Sequence, residues 1–155
     1  MIGSSEMQSS EIEGVVTKAI AELYSQNLQI LQLDVAERTI CAQLAGILQK
    51  LFVWHSVHAE YNRHGVEPKE INLPDAQGVL SRRRVNPDIF VHHPGHDAEN
   101  ILVIEVKKST NAVSDDADLA KLEWIRRQLD YQYALFIRLS TGPDANKADV
   151  RFVWL

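Results

Sequence analysis

Val85-Asn86-Pro87-Asp88-Ile89-Phe90-Val91 and, after nine intervening residues, Ile101-Leu102-Val103-Ile104-Glu105-Val106-Lys107 decide how this chain is read. Both runs are rich in β-branched and aromatic residues, which suit a pleated, half-buried surface. The second carries a glutamate and, two residues later, a lysine. Residues two apart in a strand share a face, so Glu105 and Lys107 project side by side. If the two runs pair, Asp88 comes next to them. Charges on an otherwise apolar sheet are costly unless they are paired or bind an ion.

Working outward, Ser10-Glu11-Ile12-Glu13 has the spacing of a capping box and predicts a helix start. Ile12, Val15, Val16, Ala19, Ile20 and Leu23 then recur at helical spacing. Asp34-Val35-Ala36-Glu37 predicts a second helix start of the same kind, with Ile40, Leu44, Ile47, Leu48 and Leu51 as its apolar face. Glu37 falls on that face, so its carboxylate is expected to point toward the sheet. Ser56 to Asn62 alternates like a strand. Residues 62–78, broken by Gly65, Pro68 and Pro74, read as a loop. After the two opening strands, 109–116 reads as a polar loop, and 118–129 as a helix with Leu119, Leu122, Ile125 and Leu129 inward. Tyr133 to Leu139 is a continuous apolar run typical of a buried strand. Thr141 to Asp144 is a turn, and Val150 to Leu155 is a last strand. The economical packing is α/β, a mixed sheet flanked by helices, with residues 1–155 as a single domain.

The 155 residues allow one sizeable core, and the 45% hydrophobic content is ordinary. There is no run of about 18 apolar residues, so no membrane partner is expected. The polar first ten residues do not resemble a secretory signal, and a cytoplasmic location is expected. The single Cys41 makes no internal disulfide and reads as a small core residue. His92, His93 and His96 are close together, but adjacent strand residues face opposite ways; exposed turn histidines are the expectation rather than a zinc cluster. A net charge of −5 argues against a passive nucleic-acid binder. The excess is uneven: residues 1–59 hold six acids against three Lys and Arg, and residues 60–108 hold eight against seven. A local basic surface remains open.

Pro87-Asp88 followed by Glu105-Val106-Lys107, in this element order, resembles the PD-(D/E)xK nuclease superfamily. The resemblance implies a restriction endonuclease-like fold with core order α-β-β-β-α-β, here with an extra N-terminal helix and C-terminal strand. It spans roughly residues 34–139. It also implies Mg²⁺-dependent hydrolysis of phosphodiester bonds, with Mn²⁺ as a substitute ion and DNA as the expected partner. Asp88, Glu105 and the backbone carbonyl of Val106 would hold the metal. Lys107 would polarise the attacking water, and Glu37 matches the helical glutamate that many members add to the site. Mg²⁺ prefers oxygen ligands and can supply Lewis-acid and water-activating chemistry at once.

Each assignment has a plainer counterpart. Glu105 and Lys107 can be a strand-end ion pair, worth little. Asp88 can simply open a strand after Pro87, and Glu37 can be only the return half of its capping box. Glu60, flanked by His58 and Asn62, is a further acid within reach of the site. Arg82-Arg83-Arg84 suits phosphate contacts, or a solvated basic turn; Lys69 and Lys121 can extend such a surface. Gln128 lacks the tyrosine spacing seen with the glutamine of some nuclease families and is left outside the site. The alternative function is a catalytically inactive module of this fold that binds nucleic acid or a protein partner. With no separate specificity domain, targeting by a partner protein or a homodimer formed through the amphipathic first helix is expected.

Overall fold

The computed structural model describes residues 7–59, 69–75, 77–93 and 100–155. Glu60, Asn62 and His96 lie outside the described residues, as do the side chains of Lys69, Arg83 and Arg84. The chain forms α1 (Ser9–Gln26), α2 (Leu28–Gln32), α3 (Glu37–Leu51), β1 (Ser56–Ala59), β2 (Lys69–Pro74), β3 (Leu80–Val85), β4 (Ile89–His92), β5 (Asn100–Lys108), α4 (Asp116–Gln128), β6 (Tyr133–Leu139) and β7 (Arg151–Trp154), with a short 3-10 helix at Lys147–Asp149.

Five strands form one mixed sheet in the order β1-β4-β5-β6-β7. β5 is central, antiparallel to β4 and parallel to β6. The parallel pair requires a crossover, and α4 supplies it. Without the β2–β3 hairpin and the terminal additions, the order is α3-β1-β4-β5-α4-β6.

Strand alternation sorts the core. Ile89, Val91, Leu102, Ile104, Val106, Leu135, Ile137 and Leu139 pack in one cluster with Ile12, Leu23, Ile40, Leu44 and Leu48 of α1 and α3. Phe90, Val103, Ala134 and Phe136 pack on the other face with Leu122 and Ile125 of α4. α1 is also tied to the end of β6, where the buried Tyr24 hydroxyl donates to the Ser140 carbonyl at 2.6 Å.

Several sequence expectations change. The stretch expected as a loop over 62–78 contains β2, and Arg82 to Arg84 lie within β3, not in a turn. The two strands pair antiparallel, Asn72 opposite Arg82 and Glu70 opposite Arg84, as a separate two-stranded sheet. Gly78 takes φ +81, a region glycine enters freely, and the Asp75 carboxylate accepts from the amides of Gln77 and Val79. That short-range turn chemistry outweighs the polar composition that suggested a loop. Gln128 docks the hairpin on α4, accepting from the Asn72 amide at 2.7 Å and donating to its carbonyl at 2.6 Å.

Neither expected capping box forms. α1 starts after Gln8 and α3 after Ala36, both without a side-chain cap. Asp34 instead ends α2 with φ +53, a left-handed conformation that aspartate tolerates, and its amide bonds the Leu31 carbonyl. A residue that closes one helix in this conformation is not available as the N-cap of the next.

Candidate functional site

The site is built where β5 outruns its neighbour. β4 begins at Ile89, paired with Ile104, so the last residues of β5 have no partner strand on that side. An unpaired buried amide is costly. Two carboxylates satisfy this edge. Asp88 Oδ2 accepts from the Val106 amide at 2.8 Å, and Glu37 Oε2 accepts from the Lys108 amide at 3.1 Å. Pro87-Asp88 thus ends the chain's approach to β4 with a side chain that continues the ladder.

Glu105 points from the same part of β5 toward α4 and is only 4% exposed. Burial, then the neighbouring Asp88 carboxylate, push its pKa well above the ordinary carboxylate range. Asp88 and Glu105 are therefore neighbours at this edge. Val106, whose amide Asp88 holds, presents its carbonyl to the same edge, because the N–H and C=O of one strand residue point the same way.

The lysines differ from the sequence expectation. The Lys107 ammonium lies 2.7 Å from Asp118 and donates to the Ser114 carbonyl at 3.0 Å. Lys121 of α4 places its ammonium 2.6 Å from Glu105 Oε1. Burial alone would lower the Lys121 pKa; the Glu105 carboxylate, with smaller contributions from Asp88 and Asp118, outweighs it and the net direction is upward. Raised values on both partners pull against each other. The direction that stands is a cationic Lys121 beside Glu105. Despite the short approach of Lys121, Glu105 Oε1 is buried without a hydrogen bond of regular geometry.

Glu37 is held apart from this pair. Asn111 donates to its Oε2 at 3.3 Å, beside the Lys108 amide. The amides of Val106 and Lys108 are two residues apart along β5, so the carboxylates they bind are separated by roughly 7 Å. One Mg²⁺, with ligands at about 2.1 Å, does not span that distance. Glu37 thus faces the same edge one ladder step on, and it completes no capping box. The next residue of the strand turns to the α3 side, where the Lys108 ammonium meets Asp34 at 3.2 Å. A hydrogen bond from Thr141 is the main cause that holds the Asp34 carboxyl below its ordinary range.

Arg138 organises the loop that leads into α4. It donates to the carbonyls of Lys108, Asn111 and Val113 and forms a short ion pair with Asp115. Its hydrogen bond is the main cause that lowers the Asp115 pKa. This clamp sets where α4 starts, and so where Asp118 and Lys121 fall along β5.

Sequence reasoning assigned Lys121 only to a diffuse basic surface. Its pairing was signalled in part by charge order. Glu105 and Lys107 lie about 6.7 Å apart along a strand, while Asp118 and Lys121 rise about 4.5 Å on one helix face. A crossover helix runs back along its strand, so the charges match in reverse order. Of the arginines, Arg82 has an exposed side chain on the hairpin. His92 is half-buried at the end of β4, not in an exposed turn; its Nε2 lies 2.8 Å from His58 Nδ1 across the β1–β4 pair. Burial lowers the His58 pKa.

Among the described residues, no group of three or more His, Cys, Asp or Glu side chains converges to hold a metal ion. The donor set at Asp88 and Glu105 is instead two carboxylates and one carbonyl. That set suits Mg²⁺, which is commonly bound by one or two carboxylates while keeping several waters. Oε1 of Glu105, which has the Lys121 ammonium beside it and no hydrogen bond of regular geometry, is an acceptor of the kind such an ion would satisfy. Among the described residues, no helix is long and apolar enough to cross a membrane. Comparison of the chain with family models, curated proteins and solved structures finds no match.

Proposed function

We propose that the chain is a Mg²⁺-dependent nuclease of the PD-(D/E)xK type, acting on DNA in the cytoplasm. The observation that carries this reading is Asp88 neighbouring a buried Glu105 at the unpaired edge of β5, beside the Val106 carbonyl. A carboxyl buried beside a second acid is unfavourable for stability alone, and such groups concentrate at functional sites. The helix, strand and crossover order around β5 also supports the reading.

In this proposal Asp88, Glu105 and the Val106 carbonyl hold the ion. When bound, the ion activates a water and offsets charge on the scissile phosphate. Asp88 keeps β5 in place through the Val106 amide, and so fixes the geometry of the donors. Lys107, held by Asp118, contributes positive charge at the margin of the site. Glu37 orients the next step of the edge. Arg82, Arg83 and Arg84 lie on β3 of the hairpin docked on α4, and in this proposal that basic run supplies contacts to the phosphate backbone.

A second reading has its own support. Both lysines near the acids are already engaged by carboxylates, as in a structural charge cluster, which favours a non-hydrolytic nuclease-fold module that binds nucleic acid or a protein. Cleavage of single-stranded, duplex and branched DNA and of RNA, with Mg²⁺ or Mn²⁺, separates the two. Wild type should cleave at least one substrate, and Asp88→Asn and Glu105→Gln should each lose more than about tenfold, the least that removal of an outer partner of a metal site costs. Retention of DNA without cleavage, the same in wild type and both variants, supports the module instead.

A further inference from the structure

Between β5 and α4 the acidic side chains outnumber the lysines. Asp88, Glu105 and Asp118 face two ammonium groups, those of Lys107 and Lys121. Lys107 is committed to Asp118 and to the Ser114 carbonyl. Lys121 is the cation at the acid pair: its ammonium sits 2.6 Å from Glu105 Oε1 and is also attracted by Asp88. We propose that Lys121 is a resident counter-cation, standing against the Glu105 oxygen that would ligate a divalent ion, and that it must be displaced for the ion to bind.

This inference rests on the reading of Asp88 and Glu105 as a metal site. Three features of Lys121 support it. First, the contacted atom is the buried Oε1 that lacks a regular hydrogen bond, so the ammonium neutralises it without filling its bonding directions. Second, Lys121 can leave. Its side chain is 31% exposed, against 6% for that of Glu105, and a four-carbon stem can carry the ammonium toward solvent. Third, it has somewhere to go, because Asp118 lies one helical turn earlier on the same face of α4 and already attracts it. Coexistence is disfavoured: a metal ligated at about 2.1 Å would share one oxygen with an ammonium, placing like charges a few ångströms apart. Departure of Lys121 leaves two carboxylates for a dipositive ion, which matches its charge.

Displacement makes metal affinity a difference between two cations, and this gives the test. Mn²⁺ binding is measured without nucleic acid, from the loss of the free-ion electron paramagnetic resonance signal, for wild type, Lys121→Met, Lys121→Gln, Lys121→Arg and Glu105→Gln. The Met and Gln variants should bind Mn²⁺ about tenfold or more tightly than wild type, and Lys121→Arg, which keeps a competing cation, should stay near wild type. In parallel, saturating Mn²⁺ should raise the thermal midpoint more in Lys121→Gln than in wild type, because no ion pair is given up. Equal or weaker binding by the Met and Gln variants, with binding abolished in Glu105→Gln, overturns the displacement and leaves the metal site standing. An absence of binding in wild type and in every Lys121 variant overturns both. Should Lys121→Met not fold, the more polar Lys121→Gln carries the comparison alone.

Discussion

The two faces of β5 are equally hidden from solvent and chemically unlike. Toward α1 and α3 the strand presents Leu102, Ile104 and Val106, which are 0–3% exposed in an all-apolar cluster. Toward α4 it presents Val103, then Glu105 and Lys107, the last two 4% and 7% exposed. The first face is closed by close packing. The second is closed by crossed ion pairs with Lys121 and Asp118, which cover the charges without removing them. Equal burial therefore conceals different energetics. On the apolar face each buried methylene contributes to stability. On the charged face the cost of desolvation is offset only while every partner is present.

The largest expected effect tests the apolar face. Ile104→Ala should cost about 2–5 kcal/mol, because it removes buried apolar volume in a site with little freedom to collapse. Urea unfolding measures it, and a loss under 1 kcal/mol would mean that this face is not the close-packed one.

A smaller effect is expected on the other side. Lys121→Met should destabilise the metal-free protein by about 1–3 kcal/mol, since Glu105 loses its counter-charge while remaining buried. Adding Glu105→Leu to that variant should recover most of the loss, because a buried pair replaced by packed apolar groups is often neutral or stabilising. Equilibrium unfolding of the single and double variants decides this. If the double variant is the less stable one, the ion pair does more than offset its own desolvation, and the two faces differ less in energetics than in chemistry.

The smallest effect lies at the margin of the apolar face, at the buried hydroxyl of Tyr24. Burial is the main cause that raises the Tyr24 pKa from 10.0 to about 12. A group raised on folding contributes stability that is intact below its unfolded value and is lost as pH climbs through its folded one. For Tyr24 that window runs from pH 10 to about 12. Tyr24→Phe should cost about 1 kcal/mol at pH 8 through the lost bond to Ser140, and the gap to wild type should shrink above pH 10. A gap that stays constant to pH 12 would place this hydroxyl in contact with solvent.

Much of the site was legible because strand alternation is local. The spacing of Glu105 and Lys107 fixes their shared face whatever the rest of the chain does, and β6 was readable from Tyr133 to Leu139 as an unbroken apolar run. The hairpin was not, since Lys69 to Pro74 carries two charges and a proline, and only its pairing with β3 and the turn at Asp75 make it a strand. The caps failed for a related reason. Asp34 and Ser10 have the residue types that favour a cap, but local preference yields to how the preceding helix or segment ends.

The sequence by itself determined which residues could be buried, which alternate, and that two acids and a lysine lie on or beside the central strand. Only the tertiary structure decided which charge meets which. The crossover through α4, anchored by Arg138, sets the register of helix on sheet, and it gives Lys107 to Asp118 and Lys121 to Glu105. That register depends on contacts distant along the chain, whereas spacing within one element constrains only the element that carries it.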